Sequence, residues 1–124
     1  MRDRIDQLPE SAVFQPLTEL AVIDEVLSES RERATVLFKH SPTCGISAHV
    51  HYELTQLLRD PQLDADWYLI SVRASRAVSD ALADRLKVWH ASPQVIVLRG
   101  GKVMWHGSHF GVSERSVRRA LSLR

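Results

Sequence analysis

The feature that most constrains the fold is a regular alternation of short apolar runs with segments of helical periodicity. The run ATVLFKH at 34–40 has the unbroken apolar character of a strand that is buried on both faces. The run DWYLISVRA at 66–74 is rich in aromatic and β-branched residues, which also indicates a strand. Apolar residues at helical spacing follow each run, at 46–58 and at 78–86. Strands that alternate with helices predict parallel pairing through crossover connections, and therefore an α/β fold.

The two ends of the chain complete the order of elements. Residues 94–107 have the pattern of two strands joined at Gly100–Gly101, which is a strong hairpin signal. Residues 13–17 are predicted as a short edge strand, because their proline cannot donate to a sheet. Thr18 and Ser113 are predicted to begin the first and last helices. The predicted order, β-α-β-α-β-α-β-β-α, gives a central mixed β-sheet flanked by helices on both faces, which is the thioredoxin-like fold.

Length and charge set the general class of the protein. The chain has 124 residues and a formal net charge of +1. This length predicts a single domain over 1–124, with a loosely ordered lead-in at 1–13. The small net charge gives no support for binding to nucleic acid or to a membrane surface. Because no secretory or membrane-spanning run is visible and one cysteine cannot form an internal disulfide, we expect a cytoplasmic protein.

That one cysteine, Cys44, lies in the segment FKHSPTCGIS at 38–47, between a predicted strand and the helix that follows it. Unpaired backbone N–H groups and the helix dipole at a helix start favour a thiolate over a thiol. Lys39 and His40 are close enough in sequence to add positive potential. A partly exposed thiolate is the reactive form in thiol–disulfide exchange, so we predict that Cys44 is the reactive residue.

Two further positions fit a site of this kind. Ser47 lies one helical turn after Cys44, at the place where a dithiol oxidoreductase has its second cysteine. The sequence therefore predicts a site with a single thiol. Pro93 directly precedes a predicted strand, and we expect a cis peptide bond there. In a thioredoxin-like fold, this proline would lie against Cys44 and present the backbone of Ser92 to a disulfide-bearing peptide.

Two other interpretations compete with a reactive thiol. A lone cysteine is often a small buried apolar residue without a chemical role. The six histidines could be considered as metal ligands, but His49 and His51 are two residues apart on a predicted helix and do not share a face. We therefore predict no metal site and no permanently bound cofactor.

The segments LFKHSPTCGIS and SPQVIVLRGGKVMWHGSHFGV, with the element order between them, resemble the monothiol bacilliredoxins. These are the YtxJ-like proteins of the bacillithiol system, and they have a thioredoxin-like fold. The resemblance covers nearly the whole chain after 1–13. It includes Lys-His-Ser before the cysteine, Ser-Pro-Gln before the fourth strand and Trp-His-x-Ser-His at 105–109.

The resemblance implies that the protein removes bacillithiol from mixed disulfides on client proteins. Cys44 would attack the mixed disulfide and release the client reduced, and a second thiol would then remove bacillithiol from Cys44. Bacillithiol, a low-molecular-weight thiol, would act as a co-substrate. Ser47 would be the non-resolving partner, and Pro93 the cis-proline. The residues expected around the substrate are Thr43, Gly45, Ser92, His40 and Lys39.

The residue after the cysteine departs from the family pattern, which is Thr-Cys-Pro-Ile-Ser. Here residue 45 is glycine, and CGIS is also similar to the Cys-Gly-Phe-Ser signature of monothiol glutaredoxins. Those proteins hold an iron–sulfur cluster between two subunits by means of the cysteine and a bound low-molecular-weight thiol. The alternative function is therefore an iron–sulfur cluster carrier in which Cys44 is a ligand.

Overall fold

The computed structural model describes residues 13–123 of the chain. Within them, strands and helices alternate in the predicted order, which confirms the α/β thioredoxin-like fold class. The predicted lead-in lies outside the described residues except for Val13, and it stays a prediction. The strands are β1 (Gln15–Pro16), β2 (Ala34–His40), β3 (Ala65–Ser71), β4 (Gln94–Arg99) and β5 (Lys102–Ser108). The helices are α1 (Leu20–Glu29), α2 (Gly45–Leu58), α3 (Arg76–Leu86) and α4 (Glu114–Leu121), with a 3₁₀ turn at His109–Gly111.

The five strands form one mixed sheet in the order β1-β3-β2-β4-β5. The central strand, β2, is parallel to β3 and antiparallel to β4. β1 forms an edge of the sheet, which is the position that tolerates a proline such as Pro16. β4 and β5 form the predicted hairpin, in which Gly100 and Gly101 have φ values of 64° and 76°. This left-handed backbone favours glycine, since a Cβ destabilises it.

Strand β2 supplies alternate side chains to two hydrophobic cores. Val36 and Phe38 belong to the core on one face of the sheet, and Leu37 belongs to the core on the other face. All three are fully buried, and burial of each side chain contributes about 1.5–3 kcal/mol to stability. The first core is completed mainly from α2 and α4 by Val50, Leu54, Leu57, Val117 and Leu121. The second is completed mainly from α1 and α3 by Ile23, Val26, Val78 and Leu82.

The predicted start of the last helix is confirmed. Ser113 is the N-cap of α4, where its Oγ accepts a hydrogen bond from the Ser116 N–H at 3.1 Å. The Ser116 hydroxyl accepts in turn from the Ser113 N–H at 2.9 Å. This reciprocal pair satisfies two backbone donors of α4 and fixes where the helix begins.

The predicted start of the first helix is wrong. α1 begins at Leu20 rather than directly after Thr18. The Leu17 N–H donates to the Leu69 carbonyl at 2.9 Å, which keeps the chain extended along β3 beyond β1. Helical backbone therefore starts later than the position of Thr18 suggests.

No helix in the part of the chain that the structure describes is long and apolar enough to cross a membrane.

Candidate functional site

The end of β2 and the start of α2 carry the predicted reactive residue. The chain turns at Ser41–Thr43, and Cys44 is the N-cap of α2. The Cys44 N–H donates to the Ser41 carbonyl at 3.1 Å, and the Cys44 carbonyl accepts from the Ala48 N–H at 3.0 Å. The Cys44 side chain is half-buried and makes no capping hydrogen bond to the helix. Its backbone is therefore fixed on both sides, and its sulfur stays partly open to a reaction partner.

Ser47 lies one turn into α2, as its spacing from Cys44 predicts, and it is fully buried. Its Oγ accepts a hydrogen bond from the Ser41 N–H at 3.0 Å and lies 2.7 Å from His40 Nδ1. The hydroxyl therefore connects the end of β2, the turn and the helix. The sequence predicts only that Ser47 replaces the second cysteine of a dithiol site. Its spacing from His40 and Ser41 does not predict that the hydroxyl contacts them.

His40 is half-buried beside Ser47. Its ring packs against the rings of Phe38 and His51, at centroid distances of 5.2 and 5.0 Å. Burial lowers the pKa of His40 from its ordinary value, and the neighbouring His51 lowers the pKa further. The neutral imidazole is therefore favoured.

From the sequence, His51 is considered only as a metal ligand. Within residues 13–123, no group of three or more His, Cys, Asp or Glu residues is arranged to hold a metal ion.

Lys39 does not reach this site. Neighbouring residues of a strand point to opposite faces, so Lys39 lies on the other side of the sheet from His40, where it is fully buried. Its Nζ donates to the Ser79 carbonyl at 2.9 Å and lies 3.5 Å from His90 Nδ1. Burial lowers the pKa of Lys39 to about 8, against the opposing effect of Asp80. The structure corrects the expectation that Lys39 contacts substrate, because this side chain connects β2 to α3 inside the protein.

Pro93 lies beside the end of β2. The start of β4 pairs with the end of β2, which places Pro93 next to His40 at the same end of the sheet. The Ser92–Pro93 peptide bond is cis, as predicted. Pro93 is buried and Ser92 is half-buried, and the Pro93 carbonyl accepts a hydrogen bond from the His109 N–H at 3.0 Å. The proline, the 3₁₀ turn and the end of β2 therefore meet at one end of the sheet.

Thr43 and Gly45 flank Cys44 in sequence, and both are exposed. Gly45 is the first residue of α2, and a Cβ added there would meet no atom within 4 Å. The space around this position therefore does not require glycine. Cys44 between them is half-buried, so part of this residue is accessible to a substrate from solvent.

Solved structures confirm the fold. A protein described as a candidate oxidoreductase with a thioredoxin fold has a TM-score of 0.80 and 27% identity, and the match covers 89% of this chain and 95% of that chain. A thioredoxin from Trypanosoma brucei brucei has a TM-score of 0.70 and 15% identity, with coverage of 98% and 95%. A thioredoxin from Fasciola hepatica has a TM-score of 0.69 and 17% identity, with coverage of 88% and 97%. The two thioredoxins are similar in fold alone.

The fold and the site together define a thioredoxin-fold protein with a single thiol at the start of the helix that follows the central strand. The sequence pattern of the family described as monothiol bacilliredoxin BrxC matches residues 15–117. The chain belongs to this family. Family and fold both support a thiol–disulfide oxidoreductase, as the residues around Cys44 predict.

Proposed function

We propose that the protein removes bacillithiol from mixed disulfides on client proteins in a reducing cytoplasm. The supporting observation is Cys44, the one thiol of the chain, half-buried at the N-terminus of a 14-residue helix. Reactive cysteines lie in partly exposed positions of this kind, at the start of a helix. The residue one turn further on is a buried serine, so Cys44 has no internal thiol with which to pair.

The proposed reaction consists of two thiol–disulfide exchanges. The Cys44 thiolate attacks the bacillithiol sulfur of the client mixed disulfide, so that a Cys44–bacillithiol disulfide forms and the client sulfur leaves as a thiolate. The client thiolate takes a proton from solvent. A second low-molecular-weight thiolate then attacks the bacillithiol sulfur and releases Cys44 as a thiolate. Each exchange breaks one disulfide and forms another, so bacillithiol is a co-substrate and no bound cofactor is needed.

The test is release of a bacillithiolated client, followed by mass spectrometry in the presence of a reducing small thiol. Wild-type protein is expected to convert the client to its free thiol faster than the small thiol alone. Cys44→Ser is expected to reduce the rate to that of the small thiol, because a serine hydroxyl cannot form the mixed disulfide. His49→Asn, on an exposed face of α2, is the control and should match wild type. Release by Cys44→Ser at the wild-type rate would exclude the proposed reaction.

A second function, carriage of an iron–sulfur cluster between two copies of the chain, has one observation in its favour. Gly45 is exposed and leaves open space beside Cys44, which two chains and a small thiol would need in order to share a cluster. Anaerobic reconstitution with iron, sulfide and a small thiol would then give a coloured dimer that Cys44→Ala abolishes. A colourless monomer under the same conditions would exclude this function.

A further inference from the structure

The buried hydroxyl of Ser47 has two polar contacts, which we call the Ser47 clip. One is the hydrogen bond that it accepts from the Ser41 N–H at 3.0 Å, and the other is its 2.7 Å contact with His40 Nδ1. A serine hydroxyl has one proton to donate and two lone pairs that can accept. Since the Ser41 N–H can only donate, the second contact uses either the hydroxyl proton or the other lone pair. The clip therefore uses most of the hydrogen-bonding capacity of Ser47.

The clip also fixes the backbone of Cys44. Ser41 donates its N–H to Ser47, and its carbonyl accepts from the Cys44 N–H at 3.1 Å. Ser41 is thus held from both sides, and the Cys44 backbone is connected to Ser47 through it. Without the Ser47 hydroxyl, the half-buried Ser41 N–H loses its partner in the described part of the chain, and an unpaired buried donor is destabilising. The turn that carries the thiol would then keep only the backbone hydrogen bonds from Cys44 to Ser41 and from Ala48 to Cys44.

We propose that Ser47 and His40 are positioning residues for Cys44. Ser47 accepts the Ser41 N–H and so fastens the 41–44 turn to α2, while His40 holds the Ser47 hydroxyl at the end of β2. The two contacts together set the position from which the thiol attacks. The role of the clip in the reaction depends on the function proposed above. Its effect on Cys44 geometry does not, and it can be measured with a simple alkylating reagent. In this proposal the residue at the resolving position has a function of its own.

The environment of His40 gives the clip a dependence on pH. The rings of Phe38 and His51 pack against the imidazole, the Ser47 hydroxyl is its hydrogen-bond partner, and Pro93 lies beside it at the start of β4. Among the titratable neighbours, His51 opposes protonation of His40. Neutral His40 can accept the Ser47 proton at Nδ1. Protonated His40 can only donate there, so acidification below the ordinary histidine range reverses this hydrogen bond: Ser47 Oγ then accepts from Nδ1–H, and the hydroxyl proton must point away from the ring.

The test compares four variants by the rate at which iodoacetamide alkylates Cys44 between about pH 5 and 9, and by client release. Ser47→Ala removes both contacts of the clip, and His40→Phe removes the contact at Nδ1; each is expected to slow client release about tenfold. His40→Asn keeps a side-chain acceptor near the position of Nδ1, so its client release at neutral pH is expected to stay close to wild type. His49→Asn changes an exposed histidine on the same helix and serves as the control.

The pH profile separates positioning from a general loss of structure. In wild type and His49→Asn, the alkylation rate is expected to depart from the curve of a single titrating thiol at acidic pH. In His40→Asn the departure should be absent, because asparagine does not titrate. Wild-type rates and profiles in both Ser47→Ala and His40→Phe would overturn the proposal; if Ser47→Ala does not fold, His40→Phe decides alone. A wild-type protein that shows these alkylation profiles yet fails to release client would instead contradict the proposed function.

Discussion

Replacement of Ser47 by cysteine is expected to give a protein that closes an internal disulfide with Cys44 and removes its own mixed disulfide. Cys44 is the N-cap of α2, and residue 47 lies one turn further on. Residues three apart on a helix have Cβ atoms about 5–6 Å apart, close to the ~3.5–4.5 Å that a disulfide requires. A small adjustment at the helix start is sufficient. The introduced thiol can then attack Cys44 in its bacillithiol adduct and release the small thiol without help from outside.

Mass spectrometry and thiol counting measure this outcome. Oxidised Ser47→Cys is expected to lose two hydrogen atoms and to show no free thiol, whereas the wild type has one thiol in the chain. His49→Cys is the matched control, because it adds a thiol to the exposed side of the same helix. In that variant both thiols should remain free within the chain. Two free thiols in oxidised Ser47→Cys would show that the start of α2 cannot bring the sulfurs together.

The same substitution has a cost in the reduced protein. A thiol donates and accepts hydrogen bonds weakly, so the contacts to Ser41 and His40 are weakened in Ser47→Cys. We expect the reduced variant to be less stable than wild type by about 1–2 kcal/mol, as measured by denaturant unfolding. Ser47 therefore has two effects in this chain: it cannot form a disulfide with Cys44, and its hydroxyl stabilises the turn before Cys44.

Much of this site follows from sequence periodicity. An apolar strand, a turn at Ser41–Pro42 and a helical stripe are enough to place Cys44 at a helix start with Ser47 one turn away. Gly100–Gly101 likewise predicts the hairpin, because few residues other than glycine tolerate that backbone. Local signals of this kind depend on a few neighbouring residues, so they can be interpreted without knowledge of the rest of the fold.

Local sequence patterns do not predict the contacts between separate strands and helices. The bond between His40 and Ser47 depends on how closely the end of β2 approaches the start of α2, and no local pattern encodes that distance. Lys39 is a different case, because strand alternation alone would have placed it and His40 on opposite faces. The unbroken apolar run around it obscures the alternation, since both faces of β2 are buried. A charged residue in such a strand is therefore a signal of a buried polar contact.

Lys39→Met is expected to remove a pH dependence of stability that the wild type shows in alkaline solution. The folded state lowers the pKa of Lys39 from 10.5 to about 8, chiefly through burial. Below pH 8 the amine is charged in both the folded and unfolded states, and the folded state bears the full cost of burying it. Between about pH 8 and 10.5 the unfolded state binds more protons, so the free energy of unfolding increases with pH. The total gain has an upper limit of about 3.5 kcal/mol.

Methionine has nearly the length of lysine and carries no charge to desolvate. The variant loses the hydrogen bond to the Ser79 carbonyl, which contributes about 1.5–3 kcal/mol when the donor is charged, and it avoids the burial cost. We therefore expect Lys39→Met to be at least as stable as wild type near pH 7. The advantage should shrink as the pH approaches 9.5, because the wild-type amine becomes neutral and its burial cost disappears.

Urea unfolding of wild type and Lys39→Met from about pH 7 to 9.5 measures how the free energy of unfolding of each protein changes with pH. Most tyrosines stay protonated up to about pH 9.5, so their ionisation contributes little. Burial raises the pKa of Tyr68 to about 12, and an effect of Tyr68 on stability is common to both proteins and cancels in the comparison. Lys102→Met, at an exposed position of β5, is the control and should keep the wild-type slope. An equal slope in wild type and Lys39→Met would show that the buried amine keeps its ordinary pKa. In that case its contacts with Ser79 and His90 compensate for burial, and the polar connection between β2 and α3 stabilises the fold at neutral pH.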